Sequence, residues 1–369
     1  MKNSALFIIV LLLSITQLCS QNPKIEYIAH AAFVLESSQG TRVLIDPYHS
    51  YRQMGFTFPE NIMADAVLIT HPHYDHDGSH YFSDNTPIYR DSGTYQLDDI
   101  SFYGIASKHS FAEQIGKSGN QNYNTIWVVE IDGIKIAHLG DNDVPTASEV
   151  EELADVQYII GHPRDADLEL FRSKIYIPNH YLLPEVTKHT NWMKPISGWL
   201  EGKDKVELLD ANVYNAESDN GQPKILVFKP SPLVREWPQE YFEALTSIKA
   251  GFEEYKSSKN LELSLAHIDK AIALTPYVMD GYYSKAQLLN REDMSTEITT
   301  TLEKAFATVA DIDWGTEAKA RFMLAKAYAA NQKESLAYTQ YLWLNRNKGI
   351  VNKNDLKEAQ EFIERYERN

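Results

Sequence analysis

Residues 71–76 read His-Pro-His-Tyr-Asp-His, directly after the apolar run Ala64-Asp65-Ala66-Val67-Leu68-Ile69-Thr70. Side chains able to ligate a metal thus crowd the end of a strand-like segment. In an extended chain alternate side chains share a face, so His71 and His73 can bind one cation together. The chain must then turn for Asp75 and His76 to reach a second one. Neutral imidazoles with a carboxylate suit zinc and related first-row metals.

A dinuclear site needs further ligands, and these should come from other loops. His109 follows the apolar segment 100–104, Asp141 follows 134–138, and His180 follows 175–177. Each is polar and sits where a predicted strand gives way to a loop. His162, after Ile160-Gly161, competes with His180 and is otherwise a candidate for substrate contact. His138 alternates with Ile136 in a strand and reads as a core residue. His49 and His80 have no motif around them and are expected at the surface.

Around these loops the chain reads as mixed strands and helices. Strands are predicted at 25–29, 43–46, 66–70, 100–104, 125–131, 134–138, 156–160, 175–177 and 225–228. Asp132-Gly133 between two of them signals a tight hairpin. Helices are predicted at 148–154 and near 192–200. The run Lys229-Pro230-Ser231-Pro232, with Pro238 beyond it, marks a domain boundary. We place a first domain at 21–235 and a second at 239–369. Past the boundary the composition turns to Ala, Leu, Lys, Glu and Tyr with helical periodicity. Residues 245–278 fit a tetratricopeptide-like unit through Ile248, Tyr255, Ser264, Ile268, Ala271 and Pro276. A second unit starts at Tyr282, Ala286 and Leu289, and a third is readable from Ala325, Tyr328, Ala337, Tyr341 and Leu344. The Trp-x-x-Leu-Gly start of such repeats is absent, and a plain helical bundle covering the first domain is the competing reading.

The first 20 residues read as a secretory signal: Lys2 opens it, an apolar stretch from Ala5 to Leu13 follows, and Cys19-Ser20-Gln21-Asn22-Pro23 closes it. That stretch is too short to span a bilayer; the competing readings are an uncleaved anchor and a lipid anchor on Cys19, which the preceding Leu18 disfavours. Export would make the protein periplasmic or secreted, with no transmembrane helix after cleavage. Cys19 is the only cysteine, so a cleaved chain has no disulfide. With 51 acidic against 35 basic residues the formal charge is −16, which disfavours nucleic acid as a partner.

The order and spacing of these motifs resemble the metallo-β-lactamase-fold hydrolases. The nearest branch contains ascorbate-phosphate lactonase-like proteins and N-acylphosphatidylethanolamine phospholipase D. The resemblance spans about residues 24–200. Tyr27-Ile28-Ala29-His30-Ala31-Ala32-Phe33 and Leu44-Ile45-Asp46-Pro47 look like that branch's start, and His71, His73, Asp75 and His76 meet its H-x-H-x-D-H motif in full. His109, Gly140-Asp141 and the Ile-Pro-x-His motif ending at His180 follow in order.

This resemblance implies an α/β fold, a four-layer αββα sandwich, followed here by the all-α tetratricopeptide-like domain. It implies two divalent metal ions, zinc first, with manganese or iron open on ligand type. His71, His73 and His109 would hold one, and Asp75, His76 and His180 the other, with Asp141 bridging. A metal-bridging hydroxide would attack an ester, lactone or phosphodiester, with Asp75 orienting it as the catalytic residue. Asp46 would orient a ligand histidine, and His30 would lie near the site. Di-iron relatives carry Glu where this chain has His73, and class B β-lactamases carry Cys where it has Asp141. Both departures favour hydrolysis of a small-molecule or lipid-like ester over redox or antibiotic chemistry. The alternative is an interaction protein whose helices bind a protein partner while the metal domain is a non-catalytic scaffold.

Overall fold

The computed structural model describes residues 22–50, 54–83, 85–109, 124–184, 186, 193–217, 223–310, 312, 314–348 and 351–368. The expected signal, the loop 111–123 and the start of the helix expected at 192 lie outside the described residues.

The chain opens with an antiparallel meander, β1 (Lys24–Ala29), β2 (Ala32–Glu36) and β3 (Arg42–Ile45). After the short β4 (Phe56–Thr57) come β5 (Ala66–Leu68) and β6 (Ile88–Tyr89), which extend the first sheet in parallel. The second sheet begins with β7 (Gly93–Leu97), β8 (Ile100–Ser107), β9 (Asn124–Ile131) and β10 (Ile134–His138). The helix α1 (Ala147–Glu152), β11 (Tyr158–Gly161), α2 (Asp165–Leu170), β12 (Ile175–Pro178) and α3 (Ser197–Leu200) follow. Four strands close the mixed region: β13 (Val206–Leu208), β14 (Val213–Asn215), β15 (Lys224–Val227) and β16 (Arg235–Glu236). The first sheet runs β14-β1-β2-β3-β5-β6 and the second β13-β15-β12-β11-β10-β9-β8-β7, while β16 pairs with β4 alone.

Alternation along the strands builds the layers. In β9, Trp127, Val129 and Ile131 face the first sheet and share one core with Tyr27, Phe33 and Leu44. Ile126 and Val128 face the other way, into a second core with Leu153 and Phe171, at the ends of α1 and α2. The sheets are thus sandwiched, with helices on the outer face of the second. Asp132 and Gly133 join β9 to β10 with φ of 49° and 78°, the double left-handed turn that their sequence predicts. The α1 start is fixed by a capping box between Thr146 and Glu149.

Past β16 the chain is helical: α4 (Gln239–Ser258), α5 (Leu261–Leu274), α6 (Met279–Asn290), α7 (Ser295–Thr308), α8 (Trp314–Ala330), α9 (Glu334–Arg346) and α10 (Lys353–Arg368). The expected first repeat maps onto α4 and α5, the second onto α6 and α7, and the third onto α8 and α9. Small residues sit where helices close together. Gly251 of α4 would meet Ile268 of α5 at 2.8 Å if it carried a Cβ, and Ala286 and Ala337 are fully buried. No described helix is long and apolar enough to cross a membrane.

Candidate metal centre

The candidate ligands meet at one edge of the sandwich because each follows the carboxyl end of a strand. His30 follows β1, His71 to His76 follow β5, and His109 follows β8. Asp141 follows β10, His162 follows β11 and His180 follows β12. Parallel pairing of β10, β11 and β12 puts their carboxyl ends side by side. The turn required after His73 is present: the backbone N–H groups of His76 and Asp77 both donate to His73 O, at 3.0 and 2.8 Å.

Nitrogen and oxygen atoms then converge in two groups of four, with Asp141, His162 and His180 making a third, overlapping set. His71, His73, His109 and Asp141 form one, and His30, Asp75, His76 and His180 form the other; within each group the ligand atoms lie within 4.8 Å of one another. His71 Nε2 lies 2.9 Å from His73 Nδ1. Asp75 Oδ2 lies 3.1 Å from His30 Nε2 and 3.2 Å from His180 Nε2. Asp141 stands between the groups. Its Oδ1 is 3.1 Å from His76 Nε2, and its Oδ2 is 3.5, 3.8 and 3.9 Å from the Nε2 atoms of His180, His71 and His109. All seven residues expected from the sequence therefore come together.

Two histidines join them that sequence reasoning left at the margin. His30 enters the second group directly, and His162 Nε2 sits 2.6 Å from Asp141 Oδ1. The Gly161-His162 step after a strand was the available signal for His162; His30 had only the branch resemblance. Thr70 was not singled out. Its hydroxyl donates to Asp46 Oδ2 at 2.7 Å and lies 3.0 Å from His71 Nδ1.

Asp46 orients His76 as expected, with Oδ2 2.7 Å from His76 Nδ1. A carboxylate only accepts, so Nδ1 carries the hydrogen and Nε2 is aimed at the site. His138 is the expected core residue, fully buried with Nε2 2.8 Å from Ala31 O. His80 is exposed, but His49 is not at the surface. It is 4% exposed, its ring is stacked 4.2 Å from that of His80, and its backbone N–H donates to Tyr74 O. The irregular segment from Pro47 to Ser50 is tied to Tyr74 and Gly78 by backbone hydrogen bonds that carry it inward, which no local pattern announces.

Burial holds most of these imidazoles neutral, the form that ligates metal. It pushes His30 down to about 3 and His73 and His162 to about 4, and lowers His71 and His109 as well. Burial also resists charge on Asp75 and Asp141, but the surrounding histidines hold both carboxyls well below the usual range. For His76 burial opposes protonation, yet Asp141, Asp46 and Asp75 together lift its pKa well above the usual histidine value. The buried Nε2 of His76 makes no well-formed hydrogen bond, although it faces two carboxylates. A cation between these groups would satisfy that nitrogen and the acceptor-rich oxygens at once, so the donor set fits divalent metal.

The backbone is strained at the same place. His30, Asp46 and His180 have φ of 55°, 50° and 57°, and Gly140 has 61°. Such left-handed conformations in non-glycine residues concentrate at functional sites. At Gly140 a Cβ would press against Asn124 Oδ1 and lie 2.7 Å from Thr70 Cβ. Gly140→Ala is expected to cost about 2–4 kcal/mol from strain and overpacking together. Because Asp141 is the next residue, bound metal should fall in the same variant. Urea titration with metal analysis checks both, and a variant matching the parent in each would refute the cramped-turn account.

Comparison with known proteins agrees with this geometry. Residues 24–160 match the family model for the beta-lactamase superfamily domain. A metal-dependent hydrolase of Thermococcus kodakarensis is 28% identical over 222 residues, which cover 50% of this chain and 95% of that protein. A Thermotoga maritima structure assigned to the zinc-dependent hydrolases of the metallo-β-lactamase superfamily is 25% identical, with a TM-score of 0.43 over 57% of this chain and all of that one. The first tetratricopeptide domain of the protein Spaghetti, solved with an HSP90 peptide, is similar at 17% identity and a TM-score of 0.30, over 34% of this chain and 94% of that one. The domain that carries the histidine cluster is that of a metal-dependent hydrolase of the metallo-β-lactamase superfamily.

Proposed function

We propose that the centre binds two divalent metal ions, zinc by preference, and hydrolyses an ester, lactone or phosphodiester of a small or lipid-like molecule. The observation that carries this reading is Asp141, whose carboxylate lies within 3.9 Å of nitrogens from both ligand groups. His71, His73 and His109 would hold one ion, Asp75, His76 and His180 the other, and Asp141 would bridge. Two such cations, when bound, supply an acidified water and polarise the substrate oxygen. Asp75 Oδ2, held between His30 and His180, orients the attacking water and accepts its proton. Asp46 fixes the His76 ring through Nδ1. His162 keeps Asp141 Oδ1 turned into the site.

Strands ending at Glu236 and helices beginning at Gln239 support a boundary between a hydrolase domain, 21–235, and a helical domain, 239–369. The helical domain serves partner binding or substrate access. The apolar segment after Lys2 supports export to the periplasm or beyond.

Elemental analysis of the purified, reconstituted protein should give about two metal equivalents per chain. Chelation should abolish turnover of whichever of bis-p-nitrophenyl phosphate and simple lactones the protein cleaves, and zinc should restore it. Fewer than about one equivalent after reconstitution would rule out a dinuclear centre.

A further inference from the structure

The helical domain closes a second cavity against the sheets, away from the metal centre. Its frame is ordered. β16 pairs with β4 through Arg235 opposite Thr57 and Glu236 opposite Phe56. Trp237 N donates to Gly55 O at 3.1 Å, and the Trp237 ring stacks on Tyr241 of α4 at 4.4 Å. Tyr241 OH donates to Asp280 Oδ2 of α6 at 3.4 Å. Loop, linker and two helices are thereby tied around a space of about 610 Å³. That volume suits one small molecule, and domain junctions are favoured places for such sites.

The lining is largely apolar and aromatic. Phe58 comes from the first domain, Trp237 from the linker, and Tyr277, Met279 and Ile312 from the helical side. Tyr48 separates this space from the metal centre. One neighbour of its ring is His30, with centroids 6.2 Å apart, and another is Phe58, at 5.1 Å. Three charged residues line the cavity: Glu60, Asp280 and Arg235. Arg235 Nη1 donates to the backbone carbonyls of Pro232 and Val234, so its guanidinium is engaged by the chain itself. Glu60 is exposed and makes no ion pair among the described residues. Those carbonyls are neutral and leave the guanidinium its charge, so the lining carries two carboxylates, one of them accepting from Tyr241, against one cation, a net charge of −1 beside aromatic rings. Carboxylates and ring faces both attract a cation, and the apolar wall attracts a hydrocarbon body.

We propose that this junction cavity is a second binding site, for a small amphiphile with an apolar body and a cationic head. A molecule seated there touches both domains and Phe58, whose ring packs against Tyr48.

The test is calorimetric titration of the full chain with dodecyltrimethylammonium below its micelle concentration. One saturable site per chain is expected, with weaker binding of dodecyl sulfate. Glu60→Gln and Tyr277→Ala should each weaken binding about fivefold, the worth of one partly exposed charge or ring contact. Glu60 is exposed and Tyr277 is 49% exposed, so neither change removes core packing. Asp75→Asn should bind the probe as the parent does, which separates this site from the metal centre. The proposal is overturned by absence of a saturable site, by tighter binding of dodecyl sulfate, by parent-like affinity in both cavity variants, or by loss of binding in Asp75→Asn.

Discussion

Asp75→Asn should lower turnover about 10³-fold and, at the dinuclear centre proposed above, release one of the two metal ions. Asparagine keeps the shape of the side chain but presents no full negative charge to the second ligand group. Asp75 Oδ2 lies within hydrogen-bonding distance of His30 and His180 and 3.8 Å from His76 Nε2, so three imidazoles lose one shared anionic neighbour. The proton acceptor for the attacking water goes with it. Steady-state kinetics on the best substrate, paired with elemental analysis, reads both effects. His80→Asn should leave both unchanged, because His80 is exposed and stands outside both ligand groups. Near-normal turnover in Asp75→Asn would mean that another group performs the proton transfer.

Trp127→Ala should cost about 3–5 kcal/mol, the usual loss for a buried aromatic truncated to a methyl group. Trp127 is fully buried between the sheets, with Phe102 and Tyr95 rings 6.0 Å away. Its indole N–H also donates to Ile69 O at 3.0 Å, and Thr125 N of the same strand donates to Thr70 O. These two bonds clip the chain directly before His71 to the second sheet. Trp127→Phe should separate the two roles: it keeps most of the packing but orphans the Ile69 carbonyl, for about 1–3 kcal/mol. Urea unfolding should be followed on the transition that releases metal, since sheets and helices with separate hydrophobic clusters need not unfold in one step. A loss under about 1 kcal/mol for Trp127→Ala would show that the clip is dispensable.

The ligand loops were legible because their chemistry is compressed into short motifs beside apolar runs. All nine expected strands are present within a few residues, and β10 has the expected limits. The strands missed were of three kinds. β7 lies at the sheet edge and its five residues are exposed or half-buried, so no apolar pattern marks it. β2 follows β1 after two residues, so the reading from 25 to 36 did not divide. β4, β6, β13, β14 and β16 have two or three residues and exist only because a distant partner pairs with them: Phe56 and Thr57 need Glu236 and Arg235. The same distance left His30 and His162 at the margin: they are 45 and 21 residues from Asp75 and Asp141 in sequence but 3.1 and 2.6 Å from them in space. His49 was misread as surface because its burial depends on ring stacking with His80 and on Tyr74 O, neither of which has a periodic signature. The α2 helix was missed because its polar sequence, Asp165-Ala166-Asp167-Leu168-Glu169-Leu170, shows too few apolar positions for a face.

The left-handed backbone at positions 30, 46 and 180 limits how this protein can drift. A β-branched residue there pays a steric penalty whatever its chemistry, whereas glycine, asparagine and aspartate do not pay it in full. Descendants released from selection for catalysis would therefore shed the two histidines toward that narrow set first, and keep the loops in place while doing so. An Asn or Gly at 30 and 180, beside an intact sandwich, is the scar by which a lapsed copy of this enzyme could be told from a working one.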